Sequence, residues 1–478
     1  MRKLLIVLLL SLSNSVHAQD INKYFESIRD NTAELTAFFS QMPKGGDLHN
    51  HFSGSIYAET YISYVVAQDY VINENTLEVK TGIPKGEAGW AHFSKLKELG
   101  QLDAYKQRLI QKWSVKDYNG VSYPSDKQFF ETFPAFNIAL KGPGRLDTGL
   151  MELKRRAVNE NVSYIETMFT GIPCDNIKIT DTNFNHLLEE AQQNRDEAKT
   201  AALLDKLYKL TEDKGVKACA ATFNDGLAKM HNGLKIDDET FTMRYQNYVV
   251  RVLPPADVFK DLVLAFESAS ASPLVVGVNI VAPEDNEVSM RDYWLHMQMF
   301  RYCHNKFPSV KYAMHAGELA LGMVKPEDLT WHINAAVRTA GANRIGHGVD
   351  MAHEHDSYEL LRYMAQNNIP IEINLYSNEY ILKIKEDRHP ITLYKEFNVP
   401  IVICSDDAGV LRSNLTQQYV LLAKRYKNIS YADIKQFVYN SIDYSFIEEQ
   451  SIKDKLKTQL NERLEKFEKE VAAAHRGH

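Results

Sequence analysis

Two histidines stand two residues apart in Leu48-His49-Asn50-His51-Phe52. Along an extended strand, residues i and i+2 face the same side, so His49 and His51 project together. Such a pair can hold one metal ion from a single strand, or it can be two ordinary polar side chains. Three further segments bear on the choice. His315 and Glu318 lie three residues apart in MHAGELALG, His347 sits between glycines in RIGHG, and Asp406-Asp407 follow the apolar run VPIVIC. Three imidazoles and a carboxylate drawn from this set suit Zn²⁺, with the remaining position left to water or substrate. That chemistry requires one scaffold to bring four distant segments together.

The apolar pattern supplies such a scaffold. Short apolar runs recur at 45–51, 162–169, 216–223, 274–281, 310–317, 344–348, 369–375 and 399–407. Polar clusters close them, and helical patterns such as 183–213 and 357–366 lie between them. Near-continuous apolar strands alternating with helices predict parallel strands buried on both faces. Eight such units predict an α/β fold of the (β/α)8 TIM-barrel type, with a doubly wound open sheet as the competing arrangement. A barrel places its reactive side chains at the carboxyl ends of its strands. His49, His51, His315, His347, Asp406 and Asp407 all fall there, which favours the metal reading strongly. Residues 53–161 exceed any ordinary barrel loop and predict a helical insertion after the first strand. Its segment FFETFPAF, 129–136, has the composition to wall a pocket. Extra terminal helices complete the expectation: one over 21–40, within an N-terminal segment 19–42, and another set after Tyr431. The helix at 21–40 suits either a homodimer contact or packing on its own barrel.

Composition narrows the setting. Arg2-Lys3, the apolar run Leu4–Leu12 and Val16-His17-Ala18 describe a cleaved signal peptide over 1–18. The expected destination is therefore periplasmic or secreted, with the barrel spanning 43–478. No later run offers the roughly 18 apolar residues of a membrane span. The net charge of -7 becomes about -9 once Arg2 and Lys3 are lost, and no basic stripe exists, so nucleic acid is not the expected partner. A small molecule is. The four cysteines, Cys174, Cys219, Cys303 and Cys404, match no disulfide framework by spacing, and Cys404 reads as a buried small hydrophobe.

Taken together, MPKGGDLHNHFSGS, MHAGE, RIGHGVDM, YSNEY and CSDDAGV resemble the adenosine deaminase family of metal-dependent barrel hydrolases. The Met-Pro-Lys-Gly lead-in, VAPED and the leader look closest to its secreted, growth-factor-type branch. The resemblance implies that His49, His51, His315 and Asp406 hold one Zn²⁺. It implies Glu318 as proton donor to purine N1, His347 as the residue orienting the attacking water, and Asp407 as a partner of the ring at N7 or of that water. The implied reaction is hydrolysis of adenosine or 2′-deoxyadenosine to inosine or deoxyinosine with release of ammonia. Glu318 can serve only if burial or a neighbouring anion keeps it protonated.

Two departures bear on substrate. Many relatives carry a ribose-contacting acid two residues after the second histidine, where this chain has Ser53. The glycine that usually meets the purine after the fourth strand is replaced by Ala282, followed by Pro283. Adenine and N6-modified adenosines therefore stand behind adenosine as substrates. Among other enzymes, a two-metal barrel hydrolase would need a bridging lysine after strand four, and LVVGVNIVAPED has none. The nucleic-acid deaminases need a P-C-x-x-C motif, and Pro173-Cys174 lacks its second cysteine. A non-catalytic nucleoside-binding scaffold would be expected to have lost some of these ligands, and all are present.

Overall fold

The computed structural model describes residues 21–475 except 122, 143, 180 and 182, so the leader at 1–18 lies outside the described residues. Eight parallel strands form the frame. They are β1 Gly46–His51, β2 Tyr164–Thr170, β3 Thr242–Val250, β4 Val275–Val281, β5 Ala313–Ala316, β6 Arg344–His347, β7 Ile371–Ile373 and β8 Ile401–Ile403. They pair in two parallel runs, β1-β2-β3-β4 and β5-β6-β7-β8. Parallel bridges Val278–Tyr312 and Asn50–Asp406 join the runs at both seams and close the ring. At the second seam the Asp406 amide donates to the His49 carbonyl at 2.9 Å, so the segment after β8 is tied to β1 beside its histidines. The barrel expectation holds, and the open sheet does not.

Seven of the eight expected strands are where the apolar runs placed them. The third is not. Residues 216–223 lie in the helix Val216–Gly233, and the strand is Thr242–Val250, TMRYQNYVV. The run VKACAATF is rich in alanine and suits a half-buried helix. The true strand carries Arg244, Gln246 and Asn247, all buried inside the fold, and so does not read as apolar. The helical pattern at 183–213 is likewise two helices, Asn183–Gln193 and Glu197–Asp213, the second capped by Asp196, which accepts from the Lys199 amide.

The single helix expected over 21–40 breaks in two. Residues 21–28 form one piece and Thr32–Gln41 the next, because the Asn31 side chain caps the second by accepting from the Ala33 and Glu34 amides. These pieces pack on their own barrel through a cluster of Phe25, Phe38, Phe39, Tyr419, Tyr431 and Phe467. The segment between β1 and β2 is largely helical, as expected, but also carries a small antiparallel sheet of Val71–Asn73, Val79–Lys80 and Trp90–His92. A disulfide joins Cys174 to Cys219, while Cys303 and Cys404 are buried thiols. No described helix is long and apolar enough to cross a membrane.

Candidate active site

β1 delivers His49 and His51 to the carboxyl end of the barrel, β5 delivers His315, and the turn after β8 delivers Asp406. One donor atom from each lies within 4.8 Å of the others. Asp406 Oδ1 stands 3.5 Å from His49 Nε2 and 3.3 Å from His51 Nε2, and the Nε2 atoms of His51 and His315 are 3.2 Å apart. His49 Nε2 is buried with no hydrogen-bond partner. A buried lone pair facing two more imidazoles and a carboxylate is the donor set of a metal ion, so these residues fit one.

Hydrogen bonds on the far sides of the rings set their tautomers. His49 Nδ1–H donates to Glu372 Oε2 at 2.7 Å, and His315 Nδ1–H donates to Asn279 Oδ1 at 3.0 Å. Both rings thereby keep Nε2 as the lone pair aimed at the cluster. Burial holds the His51 imidazole down at about 4, and it holds His315 well below the ordinary range. Both imidazoles are held neutral. Burial would lower His49 too, but Asp406 and Glu372 outweigh it and raise that ring to about 10, so the lone pair at its Nε2 opens to a metal ion once the proton there is displaced. Burial opposes ionisation of Asp406, yet His49 and the other imidazoles hold its carboxyl well below the usual range. Gly346 makes room for this arrangement, since a Cβ there would come within 2.7 Å of the His49 ring.

Glu318 follows β5 by two residues and is buried. Burial first, then the charges of Asp406 and Glu284, raise its carboxyl well above the usual range, so it carries a proton. Its backbone is clamped by Glu284, whose carboxylate accepts from the Gly317 amide at 3.1 Å and from the Glu318 amide at 2.8 Å. Glu284 also accepts from His332 Nδ1 at 2.7 Å. His347, closing β6, lies 3.6 Å from Glu318 and 4.0 Å from Asp406. Asn378 Nδ2 donates to its Nδ1 at 2.9 Å, which leaves an Nε2–H with no partner. Asp407 Oδ1 is also buried without a partner, and burial with Asp406 alongside raises its carboxyl well above the usual range. A Cβ on Gly54 would strike that oxygen at 1.5 Å, so the position must stay glycine.

Three of the residues at the site hold left-handed backbone: Ala282 at φ +85°, His347 at +69° and Asp406 at +60°. For residues with a Cβ this costs of order 1–3 kcal/mol each, a recurrent mark of functional positions. At Ala282 it gives the reason a glycine would sit more easily there.

One cavity of about 390 Å³ opens over this cluster, with His49 buried behind its lining. His51, His315, Glu318, His347, Asp406 and Asp407 form its floor, with Ser53 and Ala282 on the rim. Phe129, Phe130, Phe133 and Pro134 of the insertion make an apolar wall, as their composition suggested. Every residue singled out in the sequence therefore meets the others here. Several were missed. Tyr248 and Val250 line the cavity from β3, which the apolar-run reading had misplaced. Glu372, Asn279, Glu284 and Asn378 support the site from behind. Asn378 belongs to the motif YSNEY, which the structure places in the helix Leu375–Leu382 after β7. For Glu372 the available signal was a carboxylate in the middle of the apolar run IPIEINL.

Comparison with known proteins agrees with this geometry. The sequence profile of the adenosine deaminase family matches residues 238–463. An adenosine deaminase of Clostridium kluyveri is 31% identical over 434 residues, spanning 87% of this chain and 93% of that protein. The adenosine deaminase of Clostridium perfringens ATCC 13124 aligns over a shorter stretch, 29% identical across 31% of this chain and 41% of its own length. Among solved structures, the N6-methyl-AMP deaminase of Arabidopsis shares the fold at a TM-score of 0.56 and 18% identity, over 89% of this chain and 99% of its own. A Burkholderia ambifaria amidohydrolase with bound zinc does so at 0.55 and 17%, over 92% and 94%. With its length matched almost end to end by the C. kluyveri enzyme, the chain belongs to the adenosine deaminase family of hydrolytic aminohydrolases.

Proposed function

We propose that this protein is a zinc-dependent deaminase that converts adenosine or 2′-deoxyadenosine to inosine or deoxyinosine, releasing ammonia. The observation that carries the reading is a buried Glu318, its carboxyl raised by burial and neighbouring anions, in the cavity beside three imidazoles and a carboxylate whose donor atoms lie within 4.8 Å of one another. His49, His51, His315 and Asp406 are the residues that would hold the ion. When bound, Zn²⁺ lowers the pKa of water to about 7 and so supplies a nucleophile at neutral pH. The donor set favours zinc among common ions, and the Burkholderia neighbour of like fold binds it.

The remaining work falls to side chains of this chain. Glu318 gives its proton to ring nitrogen N1 as water adds at the adjacent C6, which prevents negative charge from accumulating on the ring. His347, through its free Nε2–H, holds the oxygen of the attacking water. Asp407, protonated by its surroundings, donates to the lone pair at N7 or to that water. The proton shed by the adding water passes to the emptied Glu318 carboxylate. Glu318 then hands it to the amine and takes up the proton of the new C6 hydroxyl, so ammonia leaves, C6 keeps its oxygen as a carbonyl and Glu318 ends protonated. Phe129, Phe130 and Phe133 exclude solvent from the ring. Ser53 offers the sugar a hydroxyl in place of an acid.

The same reading makes the protein an exported one. Its support is the leader-like residues 1–18 and the Cys174–Cys219 disulfide, since such bonds persist in oxidising compartments. The test of function is a purine panel of adenosine, 2′-deoxyadenosine, adenine, N6-methyladenosine and AMP, read by ammonia release and ultraviolet absorbance. Turnover of adenosine or deoxyadenosine at metal stoichiometry near one supports the proposal. No turnover of either by zinc-loaded protein overturns it.

A further inference from the structure

A second cavity, about 540 Å³, lies outside the catalytic pocket. The two share Ile381, and the same segments wall both. The helix Ser125–Phe130 gives Phe129 and Phe130 to the inner pocket and Ser125 and Asp126 to the outer one. The turn after β4 gives Ala282 and Pro283 to the inner pocket and Asp285 to the outer one. The purine must place C6 at the ligand cluster and N1 at Glu318, so N9 and the sugar point away from the floor. The 5′ arm is the part of the sugar that reaches farthest.

The lining of the outer cavity is polar and unbalanced. Asp126 and Asp285 both face it, and neither has an ion-pair partner among the described residues. Burial raises the Asp285 carboxyl, with the charge of Asp126 adding to the effect, so the two acids feel each other. Lys383 is the cation on this wall; it donates to the Tyr380 carbonyl at 3.1 Å, lies over the rings of Tyr118 and Tyr380 and feels the charge of Asp126, so one positive charge faces the two acids. Ser125 supplies an independent sign of a ligand. Its side chain is 2% exposed, its Oγ has no hydrogen-bond partner, and it lines this cavity.

Building on the reading of the inner pocket as a nucleoside deaminase site, we propose that the outer cavity is the subsite for the 5′ substituent of the nucleoside. Asp126 and Asp285 make it accept neutral or cationic groups there and reject phosphate. Specificity of this kind comes from a repulsive element built against the wrong substrate as much as from contacts to the right one. A 5′-phosphate brought beside Asp126 and Asp285 meets two like charges, against which this wall sets the single cation Lys383.

The experiment measures kcat/KM for adenosine, AMP and 5′-amino-5′-deoxyadenosine on the full zinc-loaded protein. It is repeated on Asp126→Asn, Asp285→Asn and the double variant, and the ratios of the other two substrates to adenosine are read. The double variant should raise the AMP-to-adenosine ratio at least about tenfold and lower the amino-to-adenosine ratio by a similar factor. Each single variant should move both ratios part of the way. A measurement on the unaltered protein guards against variants that fold poorly: added salt should raise the AMP-to-adenosine ratio, because it screens the repulsion. Adenosine turnover with ratios that stay fixed in the variants and in salt overturns the subsite while leaving the deaminase reading intact. Absence of adenosine turnover in the unaltered protein removes the deaminase reading instead.

Discussion

Glu284 touches no substrate, yet replacing it by glutamine should damage catalysis in a way that separates it from a purely structural residue. Its carboxylate accepts from the amides of Gly317 and Glu318 and from His332 Nδ1, at 3.1, 2.8 and 2.7 Å. Glutamine keeps one oxygen and turns an NH2 toward at least one of these donors. One buried N–H then loses its acceptor, which costs about 1–3 kcal/mol, and the surviving bonds lose their charge assistance. The expected fall in Tm is roughly 1–3 °C for a protein of this size. The second effect is electrostatic. Glu284 is one of the two anions that help burial keep Glu318 protonated. Removing that charge lowers the Glu318 pKa, so the proton donor is lost at a lower pH and the alkaline limb of kcat/KM moves down. The direction follows from the sign: a like charge removed from the same buried site makes ionisation of Glu318 easier, so the limb moves to lower pH. The assay is kcat/KM for adenosine across pH, beside thermal unfolding at each pH. A variant that loses stability but keeps its alkaline limb refutes the electrostatic half of the reasoning. One that keeps both refutes the clamp.

Glu318→Gln should lose at least about 10²-fold in kcat while retaining bound metal, checked by elemental analysis of the dialysed protein; strong turnover would strip Glu318 of its role. Asp406→Asn should lose the metal, and its Tm should no longer respond to a chelator that lowers the Tm of the unaltered protein. Ala282→Gly relieves the φ of +85° and should stabilise the fold by about 1 kcal/mol, seen as a rise in denaturation midpoint; a fall would show that the alanine methyl is packed rather than strained. Removing the Cys174–Cys219 disulfide, whose ends are 45 positions apart, should cost about 4 kcal/mol on chain-entropy grounds, read from urea unfolding of Cys174→Ala/Cys219→Ala. No change in midpoint would mean that the loop is held without the bond.

What was legible in the sequence divides along a physical line. β1, β2 and β4–β8 could be found because a strand between helices and barrel interior is apolar nearly throughout. β3 could not, because Arg244, Gln246 and Asn247 are buried against polar partners rather than apolar ones. Burial of a satisfied polar group leaves no trace in hydropathy. Misplacing that strand hid Tyr248, which lines the pocket. The break at Asn31 was missed for a related reason: the helical periodicity runs on through a capping residue, and the stop is written in one side-chain hydrogen bond. The small sheet in the insertion consists of strands of two or three residues, too short for any period to register.

The supporting charges show how the same polar residues serve the site. Arg344 on β6 lies between two buried carboxylates, its Nε 2.5 Å from Glu372 Oε1 and an Nη 2.5 Å from Glu166 Oε1. Its guanidinium also stacks over Phe446 at 3.5 Å. One cation between two carboxylates leaves the group short of positive charge, and the open position on Glu372 is filled by His49 Nδ1–H. A buried ion pair of this kind adds little net stability, since desolvation offsets the attraction. Its effect lies in geometry: the proton of His49 is held on Nδ1, so Nε2 must face Asp406, His51 and His315. Glu166, Arg344 and Glu372 each interrupt an apolar run, and each would be an error in a strand that only had to pack. A charged residue in the middle of a buried strand therefore points to the side chain it has to orient, here the first histidine of LHNHF.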